Sequence, residues 1–447
     1  MNTGARAIAP AKHGARRLLL GLLLVGLPGC AASEPPVPIP VEGPVTFSGH
    51  VARLFQRHCQ ECHRPGEAAP FALTAYEDAY QRRNKILAMV QKGKMPPWKA
   101  APEHVDFADA RRLSRGEIEL VSRWVAAGAP EGDPRDLPPP KKFPTGWALG
   151  KPGAVFTMKE PFTVPAGTRD IYRCFTVPIR LGGQGWQFIR AAEVLPGNRK
   201  IVHHVLTYLD PTGASVARDA ADPGPGYTCF GGPLVESVGG LGGWVPGARP
   251  LEIPPGVAWG IQPGAHLIIQ VHYHNPGPTD ETDSTSVGVH FASGPFDRAL
   301  HRVWPRAWGF RIPAGESSHT VTAEVTVARS DFEALSVYGH MHLIGRELRV
   351  TAHLPDGTKR RLLYIDDWDF DWQLRYTFRR PVFLPAGTRI EVQCTYDNSA
   401  ANRRNPSTPP RDVRSGFETT DEMCNASVLG TVGLPRRGAT SGARSDT

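Results

Sequence analysis

The chain has 447 residues, with 51 Lys and Arg against 43 Asp and Glu, for a formal net charge of +8. That length allows about three domains of ordinary size. Four of the basic residues (Arg6, Lys12, Arg16 and Arg17) fall in the first 30 positions, which carry no acid, so the balance without them is +4. With no basic stripe interleaved with aromatic residues, a nucleic-acid partner is excluded. The 44 prolines and 47 glycines, set among short runs rich in Val, Ile and Thr, predict a mainly β chain.

The first 30 residues read as an export signal: a basic start, an apolar run from Leu18 to Leu27, then "LPGC". The run is too short to span a bilayer, and no later stretch approaches the length a membrane helix needs. "LPGC" resembles a bacterial lipobox, with proline in an unusual place. Either Cys30 is lipidated and anchors the chain, or the signal is simply cleaved. The expected location is the periplasm or the outer membrane of a bacterium, with membrane contact only through that anchor. Residues 31–46, "AASEPPVPIPVEGPV" and its end, read as a proline-rich tether.

From Phe47 the pattern turns helical, with Val51, Leu54 and Phe55 on one face leading into Cys59. A second helix is expected from Ser114 to Gly128, opened by the capping pair Ser114 and Glu117 and stopped by glycine. Between them stands "CQECH", Cys59 to His63. Two thiols one helical turn apart can form thioethers to haem vinyl groups, and the adjacent histidine can ligate iron, so the motif predicts one covalent haem c. A zinc site would need a second ligand pair, and a redox dithiol would need a βαβ setting; neither is present. For the distal ligand we take Met95 in "KGKMPPW"; Met89 and His104 are the alternatives. Residues 47–135 as a whole resemble a small all-α cytochrome c domain, and residues 136–150 read as a second linker.

Beyond residue 150 alternating segments dominate to residue 433, followed by a tail at 434–447 that composition marks as disordered. Six of the 16 histidines fall in three clusters: "IVHHVLTY" (His203, His204), "VHYHNP" (His272, His274) and "GHMHLIG" (His340, His342). In "HLIIQVHYH", Leu267, Ile269, Val271 and Tyr273 alternate with His266, Ile268, Gln270, His272 and His274, so one face packs and the other is polar. The same alternation puts His340 and His342 on one face, with Met341 and Leu343 opposite; two imidazoles so spaced can chelate one ion. His203 and His204 are neighbours, and both can reach one ion only at an edge, a bulge or a twisted strand end. Four cysteines, Cys174, Cys229, Cys394 and Cys424, are left for two disulfides in an exported chain.

Taken in order, "VHH", "QVHYHNP", "HMHLIGRE", "CTYDN" and "DEMCN" resemble the copper type II, ascorbate-dependent monooxygenases, the family of dopamine β-hydroxylase and the peptidylglycine α-hydroxylating monooxygenase, and lean toward the former branch. The resemblance implies two antiparallel β-sandwich copper domains, over residues 151–300 and 301–433, with two copper ions. It implies His203, His204 and His272 as ligands of an electron-transfer copper. It implies His340, His342 and Met423 as ligands of the copper where oxygen and substrate react, and these three are the catalytic candidates. A thioether suits Cu(I) and is a poor choice for zinc. His274 is expected to support the ligands, and His266 and His290 to be ordinary strand histidines. The family pairs cysteines matching Cys394 with Cys424 and Cys174 with Cys229. The peptide-amidating branch has an arginine and a tyrosine for its substrate where this chain has Tyr338 and Ser427, which argues against peptide amidation.

The implied activity is hydroxylation of a C–H bond of a small organic substrate by O2, one oxygen atom going to product and one to water. Electrons would come through the haem from an external donor, an ascorbate-like reductant or another cytochrome. The rival expectation is a non-catalytic haem–copper electron-transfer or copper-binding protein.

Overall fold

The computed structural model describes residues 43–102, 105–108, 110–183, 185–327 and 330–434. The export signal with Cys30, most of the tether, His104 and the tail beyond Leu434 lie outside them. No helix among the described residues is long and apolar enough to cross a membrane.

Helices are concentrated in the early part, and one more, Ala214–Ala221, lies among the strands. After a wide turn over Phe47–Val51 come Ala52–His58, Tyr76–Gln91 and Arg115–Ala126. Val51, Leu54 and Phe55 are fully buried, as their spacing predicts. Ser114 caps the last helix, accepting from the Glu117 N–H while the Glu117 carboxylate accepts from the Ser114 N–H, which satisfies two orphan donors. The helix Tyr76–Gln91 has no such signature in the sequence. Its N-cap is Ala75 without a side-chain bond, and it buries only Ala79, Ile86 and Val90. Three widely spaced apolar positions make too weak a stripe to set its boundaries.

The rest is mainly β. Two five-stranded sheets follow. One runs Ala154–Thr157, Ser286–Phe291, Gln187–Leu195, Gly260–Ile261, with Leu251–Glu252 also on Gln187–Leu195; the other runs Tyr227–Thr228, Thr168–Pro178, His266–Asn275, Val202–Asp210, Gly243–Trp244. Both contribute to one buried cluster, with Ile189 and Val289 from the first sheet and Leu267, Val271 and Tyr273 from the second. A six-stranded sheet centres on Phe332–His340 and Cys424–Gly433, and a four-stranded sheet on Arg389–Tyr396 and Gly345–His353; these share a second cluster that includes Val337, Val428, Val350 and Val392. The expected division between residues 300 and 301 falls inside the strand Arg298–Val303. That strand lies in the six-stranded sheet between Cys424–Gly433 and Val257–Ala258.

Residues 98–102 and 105–108 do not stay with the helices. Ala101 N–H donates to Tyr364 O (2.8 Å), Ala108 N–H to Thr377 O (2.8 Å), and Arg379 N–H to Asp106 O (2.9 Å). Ala100 and Phe107 are buried in the cluster of the last sheets, where Phe107 stacks on Phe378 at 5.5 Å and Trp98 meets Tyr376 edge-on at 5.0 Å. Lys99 pairs with Asp367 at 2.9 Å. On the other flank Glu67 binds both Arg64 (2.7 Å) and Arg199 (3.2 Å), and Arg111 donates to Gly247 O. The linker is likewise bound at both ends, through Pro139 O to Gln56 and through the Ala148 and Leu149 N–H groups to Glu193.

These contacts, rather than the covalent linker, should hold the helices in place. A chain cut at a protease site inserted at Gly146 should elute as one species in size-exclusion chromatography. Phe107→Ala should cost about 3–5 kcal/mol in urea unfolding, since it empties a buried aromatic position.

Candidate copper centres and haem attachment site

The central strand His266–Asn275 is flanked on both sides by irregular pairing at the same level. On one side His272 faces His204 and Tyr273 faces Val202, which leaves His203 as an extra residue. On the other, Tyr273 faces Ile171 and Asn275 faces Thr168, which leaves two residues against His274. A bulge of this kind lets adjacent side chains point the same way. The Nδ1 atoms of His203, His204 and His272 consequently meet: His203 to His204 is 3.3 Å, His272 to His203 is 3.1 Å and His272 to His204 is 3.4 Å. Three nitrogens at roughly 2.0–2.1 Å from one metal ion would lie about 3.3–3.5 Å apart. Among the described residues these three form the one His/Cys/Asp/Glu group drawn tightly enough to hold a metal ion, and they fit copper.

The back of this site is organised too. His272 Nε2 lies 2.8 Å from Asp170 Oδ1, and the ring stacks on Tyr172 at 4.1 Å with 4° between planes. A proton on Nε2 donated to the carboxylate leaves Nδ1 with its lone pair for metal. Burial, with the neighbouring histidines adding to it, lowers the pKa of His272 to about 3 and that of His204 well below the usual value. The imidazoles are thus neutral and ready to ligate at neutral pH. Asp170, which the sequence did not single out, supplies the support expected of His274. His274 itself is exposed, and its charge bears on His203 and His272.

The second set uses the opposite nitrogen. The strand Phe332–His340 ends at His340, so His342 sits in the following turn rather than on the strand. Met341 packs in the core as expected, but Ile344 takes the next core place and Leu343 is only half-buried. His340 Nδ1 donates to Gln373 Oε1 (2.5 Å) and His342 Nδ1 to Asp421 O (3.1 Å), which leaves both Nε2 atoms as ligands. The two rings are edge-to-face at 5.0 Å. Gln373 is held in that orientation by Tyr338 OH (3.0 Å) and by its own bond to Phe370 O (2.9 Å).

Glu422 ties this site together. Its carboxylate accepts from the N–H groups of His342 (2.7 Å), Ile344 (2.8 Å) and Met423 (3.3 Å), so a single buried side chain binds both ligand segments. Burial pushes it up to about 8, although the backbone donors favour its charged form. The disulfide Cys394–Cys424 and the bond from Tyr396 OH to Met423 O (2.7 Å) fix the Met423 backbone. Cys174–Cys229 is the other disulfide. It lies in a small buried cluster with Ile268 and Tyr227, and the buried Gln270 donates to Cys229 O, so much of the polar face of the His272 strand is covered rather than solvated. A charge on His340 would add to the lowering at His204, after burial and the two neighbouring histidines. His266 and His290 are strand histidines, each with one buried ring nitrogen that has no hydrogen-bond partner.

In the helical part, Cys59 and Cys62 are free thiols, and His63 N–H donates to Cys59 O (2.9 Å), so the three lie on one turn. His63 Nδ1 donates to Phe71 O (3.0 Å), which leaves Nε2 for iron. These residues fit a covalent haem. Met95 and Met89 are both half-buried, and Met95 N–H bonds to Met89 O (3.3 Å), which places the two candidate distal ligands together at the end of the helix Tyr76–Gln91.

Residues 311–429 match the copper type II ascorbate-dependent monooxygenase C-terminal domain. DBH-like monooxygenase protein 1 of Gallus gallus is 23% identical over 257 residues, 52% of this chain and 39% of that protein. The Homo sapiens protein of the same name is 24% identical over 296 residues, 60% of this chain and 45% of its own length. The chain spans less than half the length of these curated relatives. Among solved structures, the major capsid protein P2 of bacteriophage PM2 aligns over 64% of this chain and 99% of its own, with 11% identity and a TM-score of 0.25.

Asp170→Asn should weaken copper binding at the three-histidine centre about 10–100-fold while sparing the other, as loss of a ligand-orienting partner does. Competitive titration of Cu(I) against a chromophoric chelator reads both affinities.

Proposed function

We propose that the chain is an exported copper-dependent monooxygenase that hydroxylates a C–H bond of a small organic substrate with O2, with electrons arriving through a c-type haem on the same chain. The observation that carries this reading is a three-imidazole cluster together with a second pair, His340 and His342, whose Nδ1 atoms are both engaged so that Nε2 is free. Copper at the two sites would supply one-electron storage and oxygen activation, and haem at Cys59, Cys62 and His63 a one-electron relay from an ascorbate-like donor or another cytochrome. Residues 47–135 form the cytochrome c domain in this reading, and residues 151–300 and 301–433 two antiparallel sandwiches, supported by the two shared cores. The two disulfides support an oxidising compartment such as the periplasm. Anchoring through Cys30 follows from the "LPGC" sequence.

The protein's own groups divide the work. His203, His204 and His272 hold one ion with neutral rings against Asp170. His340 and His342 present Nε2 while Gln373 and Asp421 O hold their protons, and Met423 adds the soft ligand that favours Cu(I). Electron entry at the three-histidine centre is supported by Arg111. Its charge bears on the Cys62 thiol, and its guanidinium donates to Gly247 O, just past the strand Gly243–Trp244 that pairs with Val205 and Leu206. Because Ala101, Asp106 and Ala108 are hydrogen-bonded to the last sheets, the relay works at a fixed distance rather than through a swinging tether.

Oxygen uptake by the reduced, copper-loaded protein should rise when substrate is added, and Met423→Ile should abolish that rise while one copper per chain stays bound. Uptake indifferent to every aromatic and aliphatic substrate tried would favour a non-catalytic haem–copper electron-transfer protein. In anaerobic mixing with haem reduced and copper oxidised, haem oxidation should be independent of protein concentration and lost in His272→Ala. Equal rates in both proteins would rule the relay out. The haem itself should resist acid-acetone extraction.

A further inference from the structure

The face of the six-stranded sheet that carries His340 also carries two arginines that no described carboxylate neutralises. Residues directly opposite on neighbouring strands share a face. His340 is opposite Asn425, and Asn425 is opposite Arg306, so the three form one row across the sheet. Arg302 is opposite Leu429, four residues along from Asn425 and therefore on the same side, while Val303 between them points into the core. Trp304 lies between the arginines, with the Arg302 guanidinium 4.7 Å and the Arg306 guanidinium 4.5 Å from its ring centre.

This cluster connects to the metal-ligand side. Trp304 Nε1–H donates to Asn425 Oδ1 (3.4 Å), and Asn425 Nδ2–H donates to Met423 Sδ (3.8 Å). Trp304 remains 38% exposed, so the cluster is open to a ligand. Two residues past Arg306 along the chain, Trp308 packs on Phe417 at 5.1 Å, the two being exposed at 47% and 54%. Neither Arg302 nor Arg306 makes an ion pair among the described residues, whereas Arg298, on the same strand as Arg302, and Arg311, on the strand Arg311–Ile312, are paired with Glu333 and Asp412. Two unpaired guanidinium groups held by one indole are poised for a planar anion, which they can grip through charge-assisted hydrogen bonds.

We propose that Arg302 and Arg306, set by Trp304, form a subsite for the carboxylate of an aromatic or arylalkyl acid whose C–H bond reaches the His340/His342/Met423 centre. Two strand spacings, about 10 Å, separate the backbone of Arg306 from that of His340, so the reacting carbon lies several bonds from the carboxylate. This rests on reading that centre as the reacting one, while the anion subsite itself can be tested without metal.

The probes are 4-phenylbutyrate and its neutral isostere 4-phenylbutanamide, titrated calorimetrically into the metal-free full-length protein. Wild type should prefer the acid by about tenfold or more, the scale of a hydrogen-bonded charge. The preference should weaken with salt, vanish in the double variant Arg302→Gln/Arg306→Gln, and survive in Arg311→Gln. Thermal melts of the three proteins check that each is folded, and Arg302→Lys/Arg306→Lys should restore part of the preference if charge is what matters. Equal affinity for acid and amide, no binding of the acid at millimolar concentration, or an unchanged preference in the folded double variant would overturn the subsite. Oxygen uptake by the copper-loaded protein separates the two claims. Acid preference without stimulated uptake leaves the subsite standing and sinks the monooxygenase reading, and uptake stimulated equally by acid and amide does the reverse.

Discussion

Three imidazoles from two strands can meet at one point only because the His203 strand has one residue more than its neighbour at that level. In regular pairing His203 and His204 would project to opposite faces, and a cluster at 3.1–3.4 Å could not form. The irregularity on the other flank of the same central strand is the counterpart that lets Asp170 reach His272 Nε2. The cost of two interrupted ladders is offset by the core beneath, where Val271 and Tyr273 are fully buried.

The two centres solve one chemical problem in opposite ways. An imidazole has two nitrogens, and whichever carries the proton must be occupied elsewhere so that the other faces metal. At the first centre the outer nitrogen of His272 is occupied by Asp170, a carboxylate. At the second, a neutral amide and a backbone carbonyl do this for His340 and His342. A carboxylate makes its histidine a stronger electron donor than a neutral acceptor does. The neutral partners therefore leave the His340 and His342 pair a weaker donor, in keeping with the thioether proposed as third ligand. Glu422 adds rigidity by binding the N–H groups of two segments some 80 residues apart in sequence.

The helical part is integrated by the same logic of satisfied backbone. Ala101, Ala108 and Asp106 find their hydrogen bonds on Tyr364, Thr377 and Arg379, and the apolar side chains of Ala100 and Phe107 lie in the core of the last sheets. A segment that is irregular by itself becomes ordered because the exposed edges of those sheets offer unpaired donors and acceptors.

Much was legible in the residues themselves. The Ser114 and Glu117 capping pair, the 3.6-residue spacing of Val51, Leu54 and Phe55, the alternation in "HLIIQVHYH" and the clustering of histidines are local patterns, and local sterics and hydrogen bonding decide them. Spacing even required an irregularity at His203, because neighbouring residues on a regular strand cannot share a face. Other features depend on which strands become neighbours. Asp170, Gln373 and Glu422 act on histidines between 33 and 102 residues away. The row of His340, Asn425 and Arg306 exists only through strand register, and the docking of Phe107 only through the strand Arg375–Leu384, far along the chain. Sequence therefore determined which side chains could bind metal, because ligand chemistry belongs to the residue. The tertiary structure decided which nitrogen each histidine offers and which charges face it, because those depend on partners that only long-range pairing brings within about 3 Å.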